Sequence, residues 1–315
     1  MARLKDLVIA SKNRILASDQ LAWLGLPNIV SPFSELAFWL RENWYDPWRV
    51  QAAGEEQLAQ SWQTAVPEES VDLSWAPALI QQAERVTTLY HSPDLLDYAQ
   101  FQASLQREQA RLQEAEEQAH HLRLKTVRPL YRQLHPTRNL ETMQGVGQDS
   151  AAIYIAFSGD IQRFPSQRDF LGWTGLIPFS RQSGDAQARG LHITKAGPNL
   201  VKATAFLNAG IARRWDPQIA AVYYRQMVQH GKHHLQATCA CATHLLTRVY
   251  AVLRDDRPYE LRDVDGTPVD KHTARRICLE RYHVPDEVRQ RNNRRVRKAR
   301  QEARLEKLRK RKRRR

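Results

Sequence analysis

The stretch that most constrains the fold lies at residues 93–135, where apolar residues recur at close to heptad spacing and are separated by Gln, Glu and Arg. Ser92-Pro93-Asp94 is a suitable helix start, because Ser or Asp caps a helix and Pro fits its first turn. The pattern predicts a long amphipathic helix that pairs with another helix, either in an intramolecular hairpin or in a coiled-coil homo-oligomer. The apolar positions are Leu95, Leu96, Phe101, Leu105, Leu112, Ala115, Ala119 and Leu122.

Most other segments show the apolar spacing of shorter helices punctuated by proline, so the predicted fold class is mainly α. The exception is a strand predicted from Leu7 to Ala10, where four residues in a row are apolar. The predicted organisation is a Trp- and Pro-rich N-terminal region (1–90), a long-helix or coiled-coil region (91–138), a helical C-terminal domain (139–262) and a basic tail (263–315).

The charge is concentrated at one end of the chain. The net charge is +14, and residues 289–315 contain 16 Lys or Arg against Glu302 and Glu306, which gives 16 − 2 = +14. The preceding residues are therefore neutral overall. A basic block of this density binds phosphate backbones through counterion release, without sequence preference of its own. The basic charge of this tail predicts that the chain binds a nucleic acid.

Hydropathy and cysteine content exclude other classes of protein. No stretch approaches the roughly 18 apolar residues that a membrane span needs, and the N-terminus is too polar for a secretory signal. Three cysteines are few and odd in number, which argues against a disulfide framework. Cys239 and Cys241 point to different sides of a predicted helix, so we expect buried thiols there and no metal site. The sequence predicts a cytoplasmic protein without a membrane partner.

Residues 140–202 contain the features that indicate chemistry. Gly145-Val146-Gly147 separates two apolar segments, which predicts a helix-hairpin-helix-like turn whose following helix presents free N–H groups to a phosphate. Gly175 to Thr194 is a long polar loop or hairpin containing Ser183-Gly184 among cations. The residues predicted to bind nucleic acid are Gly145, Val146, Gly147, Gln148, Arg181, Gly184, Arg189, Lys195, Gly197 and Lys202.

Several motifs in a fixed order resemble the C-terminal domain of the insertion sequence 110 family of transposases. They are LxxMQGVG, GDIQRF, FLxWTGLIP with SG, GxxITKAGxxLVK and YYRQMVQHGK. The resemblance covers about residues 125–260. It implies a DNA recombinase directed by a guide RNA, in which the serine of the Ser-Gly motif attacks a DNA phosphate. The matching residue is Ser183. An N-terminal acidic domain with a divalent metal such as Mg²⁺ is also implied.

The chain departs from the family pattern in ways that affect catalysis. The aspartate and glutamate motifs of the acidic metal-binding domain are not found in residues 1–90, so we expect this chain to lack most of that domain and to show no cofactor site. Gln144 replaces a proline that is usual in the family's turn. Lys202 stands where the family often has arginine, which keeps the charge but not the two-pronged hydrogen bonding.

Three functions are therefore compatible with the sequence. The first is a transposase-type recombinase that uses Ser183 as its nucleophile. The second is a non-catalytic DNA- or RNA-binding protein derived from a transposase, for which the glycine turn, cationic loop and basic tail suffice. The third is a helical adaptor that dimerises through residues 93–135.

Overall fold

The computed structural model describes residues 2–24, 26–66, 73–177, 182–183, 186–187, 193–194 and 196–313. The described chain is mainly α-helical, which confirms the predicted fold class. It divides into two compact units, unit 1 (residues 1–124) and unit 2 (residues 125–315). The four-region division drawn from the sequence stays a prediction. None of the helices in these ranges combines the length and apolar character required to cross a membrane.

Unit 1 is built from helices around a core rich in tryptophan. The helices are α1 (Ala2–Trp23), α2 (Leu26–Ile29), α3 (Glu35–Asn43), α4 (Pro47–Ala65), α5 (Trp75–Tyr90) and α6 (Tyr98–Leu122), with a 3-10 turn at Pro93–Leu95. Trp23, Trp44, Trp62 and Trp75 are buried among aliphatic side chains. Ser34 and Asp46 cap α3 and α4 with their side chains, so local sequence fixes where these helices begin.

The amphipathic helix predicted over residues 93–135 is present in part, as α6, and its apolar side is covered within unit 1. The start predicted at Ser92-Pro93-Asp94 is wrong, because Ser92 caps only the 3-10 turn and the Asp97 side chain caps α6. Helix α6 runs antiparallel to α1 and buries Leu105 and Leu112 in the unit's core. Two ion pairs, Lys12–Glu116 and Arg14–Glu108, join the helices along their length. This is the intramolecular pairing that the sequence left open beside a coiled-coil oligomer, and the coiled-coil prediction is not confirmed.

The strand predicted from Leu7 to Ala10 is wrong, because these residues lie within the helix α1. A short apolar run has no helical or strand period of its own, so periodicity cannot assign it. The helical residues of α1 before and after this run, together with packing of α1 against α6, decide its conformation.

Unit 2 contains the glycine turn, the serine loop and the basic tail. Its elements are α7 (Arg128–Leu134), a 3-10 turn (Asn139–Thr142), α8 (Gln148–Ser158), a 3-10 turn (Ile161–Arg163), α9 (Gln167–Thr174), β1 (Gln182–Ser183), β2 (Ala186–Gln187), α10 (Asn199–Ala212), α11 (Pro217–Tyr224), a π-helical turn (Arg225–Gln229), α12 (His234–Asp255), α13 (Lys271–Glu280) and α14 (Asp286–Arg313). A second π-helical turn, Arg123–Val127, spans the boundary between the units.

The core of unit 2 centres on α12, which packs against α10 and α11 and buries Leu245, Leu246 and Val249. Local residues mark two helix ends in unit 2. Ser166 and Asp169 form a reciprocal capping box at α9, and Gly159 ends α8 with a positive φ of 59°.

The C-terminal region combines an anchored part and a long basic helix. Ile277 and Cys278 of α13 are buried. Asn292 of α14 is also buried, and its Nδ2 donates to the carbonyl oxygens of Met227 (2.8 Å) and Lys232 (3.2 Å). The first turns of α14 are thereby fixed to the body of unit 2.

Candidate nucleic-acid site

The loop that carries Ser183 contains an antiparallel hairpin. Strand β1 pairs with β2, with Gln182 opposite Gln187 and Ser183 opposite Ala186. Ser183 is thus the last residue of β1, next to the hairpin tip. The predicted hairpin is confirmed in its backbone. Arg181, Gly184, Arg189 and Lys195 lie outside the described residues, and so does the side chain of Ser183.

The base of this hairpin is held by hydrogen bonds from Thr194. Its backbone N–H donates to the Ile177 carbonyl oxygen at 3.1 Å, and its hydroxyl donates to the Gly175 carbonyl oxygen at 3.1 Å. From α12, the Thr243 hydroxyl donates to the Leu176 carbonyl oxygen at 2.9 Å. The two ends of the loop are therefore fixed to each other and to the core helix.

Two glycines allow the ends of the loop to approach this closely. Gly175 has φ 72°, and a Cβ there would lie 2.1 Å from the Ala196 carbonyl oxygen. Gly197 has φ 75°, and a Cβ there would lie 2.3 Å from the Trp173 carbonyl oxygen. No other residue fits either position, since both the backbone conformation and the space exclude a side chain.

Lys202 supports the same junction from the first turns of α10. Its Nζ donates to the Ala196 carbonyl oxygen at 2.7 Å. Gly197 and Lys202, both predicted to bind nucleic acid, are thus brought together at the hairpin base with structural contacts. Their contact with phosphate stays a prediction.

The glycine turn is shaped by packing against α10. Gly145 has φ 85°, and a Cβ there would lie 2.5 Å from the Asn208 carbonyl oxygen. Val146 is buried in the unit 2 core. The segment before the turn is a single 3-10 turn, not the α-helix expected from the sequence, and the helix-hairpin-helix-like arrangement is not confirmed.

The start of α8 has open space at Gly147 but an acid close by. Gly147 is the N-cap residue, and nothing lies within 4 Å of a Cβ placed there. Asp149 occupies the first turn and accepts hydrogen bonds from Arg128 Nε (3.0 Å) and Nη2 (3.2 Å). This carboxylate already complements the positive helix end and would repel a phosphate. Phosphate binding by Gly147 and Gln148 stays a prediction that this charge opposes.

An ion-pair network fixes the chain just before the glycine turn. Arg138 adopts a positive φ of 54° and makes two hydrogen bonds to Glu141, at 2.8 and 2.7 Å. The Tyr131 hydroxyl donates to Glu141 Oε1 at 2.9 Å. The hydrogen bonds from Arg138 are the main cause of the lowered pKa of Glu141. The carboxylate is thus held ionised and in place.

Within the described ranges, no group of three or more His, Cys, Asp or Glu side chains could hold a metal. Cys241 is buried in α12, and burial raises its pKa to about 12. Burial also raises the pKa of Cys239. Both thiols are therefore protonated near neutral pH. Cys241 is buried as predicted, whereas Cys239 is only partly buried.

Sequence reasoning missed the residues that build the hairpin base, namely Gly175, Thr194 and Thr243. A signal for the first two was available. Gly175 follows α9 directly, where glycine commonly ends a helix, and Thr194 lies in the quoted ITKAG motif. Thr243 had no such signal, because its role depends on the packing of α12 against the loop.

Comparison with known proteins finds a family similarity in the segment that contains these features. Residues 137–224, which include the glycine turn, the hairpin and α10, match a family described as "Transposase IS116/IS110/IS902 family". Residues 137–224 are therefore similar to the transposase domain of this family, which confirms the resemblance found in the sequence.

The similar proteins include two from insertion elements and one inversion protein. The chain is 33% identical over 123 residues to the "Insertion element IS110 uncharacterized 43.6 kDa protein" of Streptomyces coelicolor, covering 39% of this chain and 30% of that protein. It is 28% identical over 128 residues to the "Pilin gene-inverting protein" of Moraxella bovis (41% and 40%). It is 32% identical over 119 residues to the "Insertion element IS900 uncharacterized 42 kDa protein" of Mycobacterium paratuberculosis (38% and 29%). The similarity thus spans less than half of each relative.

Proposed function

We propose that this chain takes part in DNA transposition or recombination, with Ser183 as the nucleophile that attacks DNA. The observation that carries the proposal is the hairpin that ends β1 at Ser183 and rises from a base fixed by Gly175, Thr194 and Gly197. A nucleophile must be held in register with its target, and a rigid base supplies that positioning. The hairpin lies inside the segment that matches the transposase family.

In the proposed step, the Ser183 hydroxyl oxygen forms a bond to a DNA phosphorus. The bond between that phosphorus and one sugar oxygen breaks, and the serine proton ends on the departing sugar oxygen. One phosphodiester is thereby exchanged for another, so the DNA can be rejoined by the reverse reaction without an external energy source.

The resemblance implies that a divalent metal such as Mg²⁺ assists this family. A hard cation of this kind prefers several carboxylate or carbonyl oxygens. The described residues do not fit it, because no suitable group of acids, histidines or cysteines is present among them. The proposed step therefore assigns a role to the Ser183 hydroxyl only.

Helix α14 supports binding of nucleic acid by the same chain. Residues 289–315 contain 16 Lys or Arg and two acids, and α14 extends from Asp286 to Arg313 as one helix of 28 residues. At a rise of 1.5 Å per residue, its length is about 42 Å. A helix of this charge density suits the phosphate backbone of DNA, or of the guide RNA that the resemblance implies. We also propose that this chain acts in the cytoplasm.

Covalent capture of DNA tests the nucleophile. We would incubate the chain with labelled DNA that carries its own coding element and flanking sequence, and then separate the products on a denaturing gel. A protein–DNA adduct is expected for the wild type and for Ser180→Ala, a matched change in the same loop. It is expected to be lost in Ser183→Ala. An adduct that persists in Ser183→Ala would refute the assignment.

The second candidate is a non-catalytic nucleic-acid-binding protein, and the observation that favours it is the charge of α14. In that case, Ser183→Ala binds DNA as the wild type does and neither protein forms an adduct. Affinity in both should fall steeply with salt, and deletion of residues 294–315 should reduce the slope of log K against log salt. The dimerising adaptor is a weaker proposal, since α1 covers the apolar side of α6.

A further inference from the structure

Two arginines and a histidine from separate elements meet around Tyr223 in unit 2. The guanidinium of Arg213, which follows α10, stacks on the Tyr223 ring with its Cζ 4.4 Å from the ring centroid. His234, the first residue of α12, shares a hydrogen bond of 2.8 Å between its Nδ1 and the Tyr223 hydroxyl. Arg289 of α14 lies close enough to Tyr223 for its charge to act on the tyrosine hydroxyl. We call Arg213, His234 and Arg289 the Tyr223 cluster.

Arg213 lacks the acid that usually accompanies a partly buried guanidinium. Its Nε atom is buried and has no hydrogen-bond partner in the described part of the chain, where no carboxylate lies within ion-pair distance of it. Burial lowers the pKa of Arg213, and the charges of Arg214 and Arg289 lower it further, whereas Tyr223 acts in the opposite direction. A partly buried cation among cations is unfavourable unless an anion joins it.

Partial compensation comes from two contacts, and neither neutralises the cluster. Stacking on Tyr223 stabilises Arg213 through the electrons of the ring. Asp286 lies 3.4 Å from Arg289, measured between its Oδ1 and the arginine Nη1, but its side chain is 76% exposed. A surface pair of this kind contributes little because solvent screens it.

The cluster is also held rigidly and is accessible. Tyr223 is buried, and Asn292 anchors α14 beside the cluster through its bonds to Met227 and Lys232. The backbone N–H of His234 donates to Asn293 Oδ1 at 3.3 Å, which fixes the start of α12 to α14. The side chains of Arg213, His234 and Arg289 are only partly buried, so solvent and ligands can approach them.

We propose that the Tyr223 cluster is a binding site for a phosphodiester group of a nucleic acid, with the guanidinium of Arg213 as its main donor. Guanidinium groups bind phosphate oxygens through paired hydrogen bonds, and Arg289 and the His234 imidazole lie beside that position. This proposal rests on the nucleic-acid binding proposed above and adds a specific phosphate contact, formed by α10, α12 and α14 and separate from the Ser183 hairpin.

The test compares Arg213→Gln with the charge-matched control Arg257→Gln. Arg257 is also in unit 2, but its side chain is 77% exposed and it pairs with Asp255 at 2.9 Å. We would measure binding of labelled duplex DNA and of labelled single-stranded RNA by fluorescence anisotropy across a series of salt concentrations. The arm with the greater effect shows which nucleic acid occupies the site.

Arg213→Gln is expected to weaken binding about tenfold. Loss of one phosphate contact should also reduce the salt slope by about 0.9 for duplex DNA or about 0.7 for a single strand. Arg257→Gln should change neither value by as much, and Arg213→Lys should restore part of the affinity. If Arg213→Gln and Arg257→Gln give the same affinities and slopes for both nucleic acids, the proposal is overturned.

A second measurement separates this proposal from the proposed function. Inorganic phosphate should raise the thermal midpoint of the wild type and of Arg257→Gln, but should raise that of Arg213→Gln much less. If the wild type bound neither nucleic acid, the proposed function would fail, and the phosphate response would still test the cluster. A response to phosphate equal in all three proteins would overturn the cluster itself.

Discussion

Arg41 in unit 1 and Arg213 in unit 2 both place a guanidinium against an aromatic ring, yet their electrostatic surroundings differ. The side chain of Arg41 is fully buried and makes two hydrogen bonds to Asp19, from Nε at 3.1 Å and from Nη2 at 2.6 Å. Arg213 stacks on Tyr223 and has no carboxylate partner in the described ranges. One arginine is neutralised by its own chain. The other is left with unsatisfied charge.

The difference separates a structural charge from a charge available to a ligand. In unit 1, the Tyr45 hydroxyl and the Pro32 carbonyl oxygen extend the network around Asp19 and Arg41, and only Arg41 Nη1 has no partner in the described ranges. This network is closed to solvent, positions α1 against α3 and leaves little for an outside group to bind. In unit 2, the chain supplies two arginines and a ring with only one exposed acid, Asp286, beside them, an arrangement that an anion completes.

The largest effect is expected where the charge pair in unit 1 is broken. Asp19→Ala should lower the free energy of unfolding by about 3–5 kcal/mol, because it leaves the buried Arg41 charge uncompensated. Urea unfolding followed by tryptophan fluorescence measures this change.

The double variant Asp19→Leu with Arg41→Met serves as the control. It should recover most of the lost stability, since apolar residues of similar size replace both charges. A single variant as stable as the wild type would show that the pair does not hold unit 1 together.

The next effect contrasts a glycine from each unit. Gly54 within α4 and Gly197 at the hairpin base both have positive φ, of 76° and 75°. Gly54 has open space around it, whereas a Cβ at Gly197 would meet the Trp173 and Thr174 backbone. Gly197→Ala should cost about 2–4 kcal/mol from strain and overpacking together. Gly54→Ala should cost about 1–2 kcal/mol from strain alone.

Unfolding measurements on the two alanine variants check the order of these costs. We also expect Gly197→Ala to lose the Ser183-dependent DNA adduct, because the hairpin base can no longer close. Equal costs for the two variants would mean that the close approach at Gly197 does not constrain the hairpin.

A smaller effect on stability is expected at Arg213. Arg213→Met keeps an apolar chain over the Tyr223 ring and removes an uncompensated charge, so unfolding free energy in phosphate-free buffer should change by less than about 1 kcal/mol. Arg41→Met, in contrast, should destabilise strongly because Asp19 then lies buried without its partner. If Arg213→Met were as destabilising as Arg41→Met, the contrast between the two arginines would be lost.

The sequence predicts the parts of this structure that depend on local signals. The capping box of Ser166 and Asp169 marks a helix start, whereas the capping signal at Ser92 marks only a 3-10 turn. The strand expected at Leu7–Ala10 failed because four adjacent apolar residues fit a helix as well as a strand. In the same way, two glycines around Val146 predict a turn but do not distinguish a phosphate contact from close packing against α10.

The two candidate sites differ in how well they could be predicted from the sequence. Ser183 and its hairpin were predictable from a Ser-Gly pair in a long polar loop within a recognisable family pattern. The Tyr223 cluster was not, because Arg213, His234 and Arg289 come from three helical regions far apart in sequence. No spacing rule connects such residues, and only the packing of α10, α12 and α14 brings them together.

The smallest predicted effect is on the titration of His234. Burial and the charges of Arg213, Arg289 and His233 lower the pKa of His234 below its ordinary value. The unfolded chain therefore takes up this proton more readily than the folded chain. The stability that His234 contributes is complete above its unfolded pKa and declines as the pH falls toward the folded pKa.

Arg213→Gln removes one of the neighbouring charges and should raise the pKa of His234, so that unit 2 loses less stability on mild acidification. Proton NMR titration of the His234 ring measures the pKa directly, with Arg257→Gln as the control that leaves it unchanged. Addition of phosphate to the wild type should also raise it, because an anion favours the imidazolium. If neither the Arg213→Gln substitution nor phosphate altered the pKa of His234, the charges around Tyr223 would act separately. The contrast with the closed network of Arg41 would then rest on Arg213 alone.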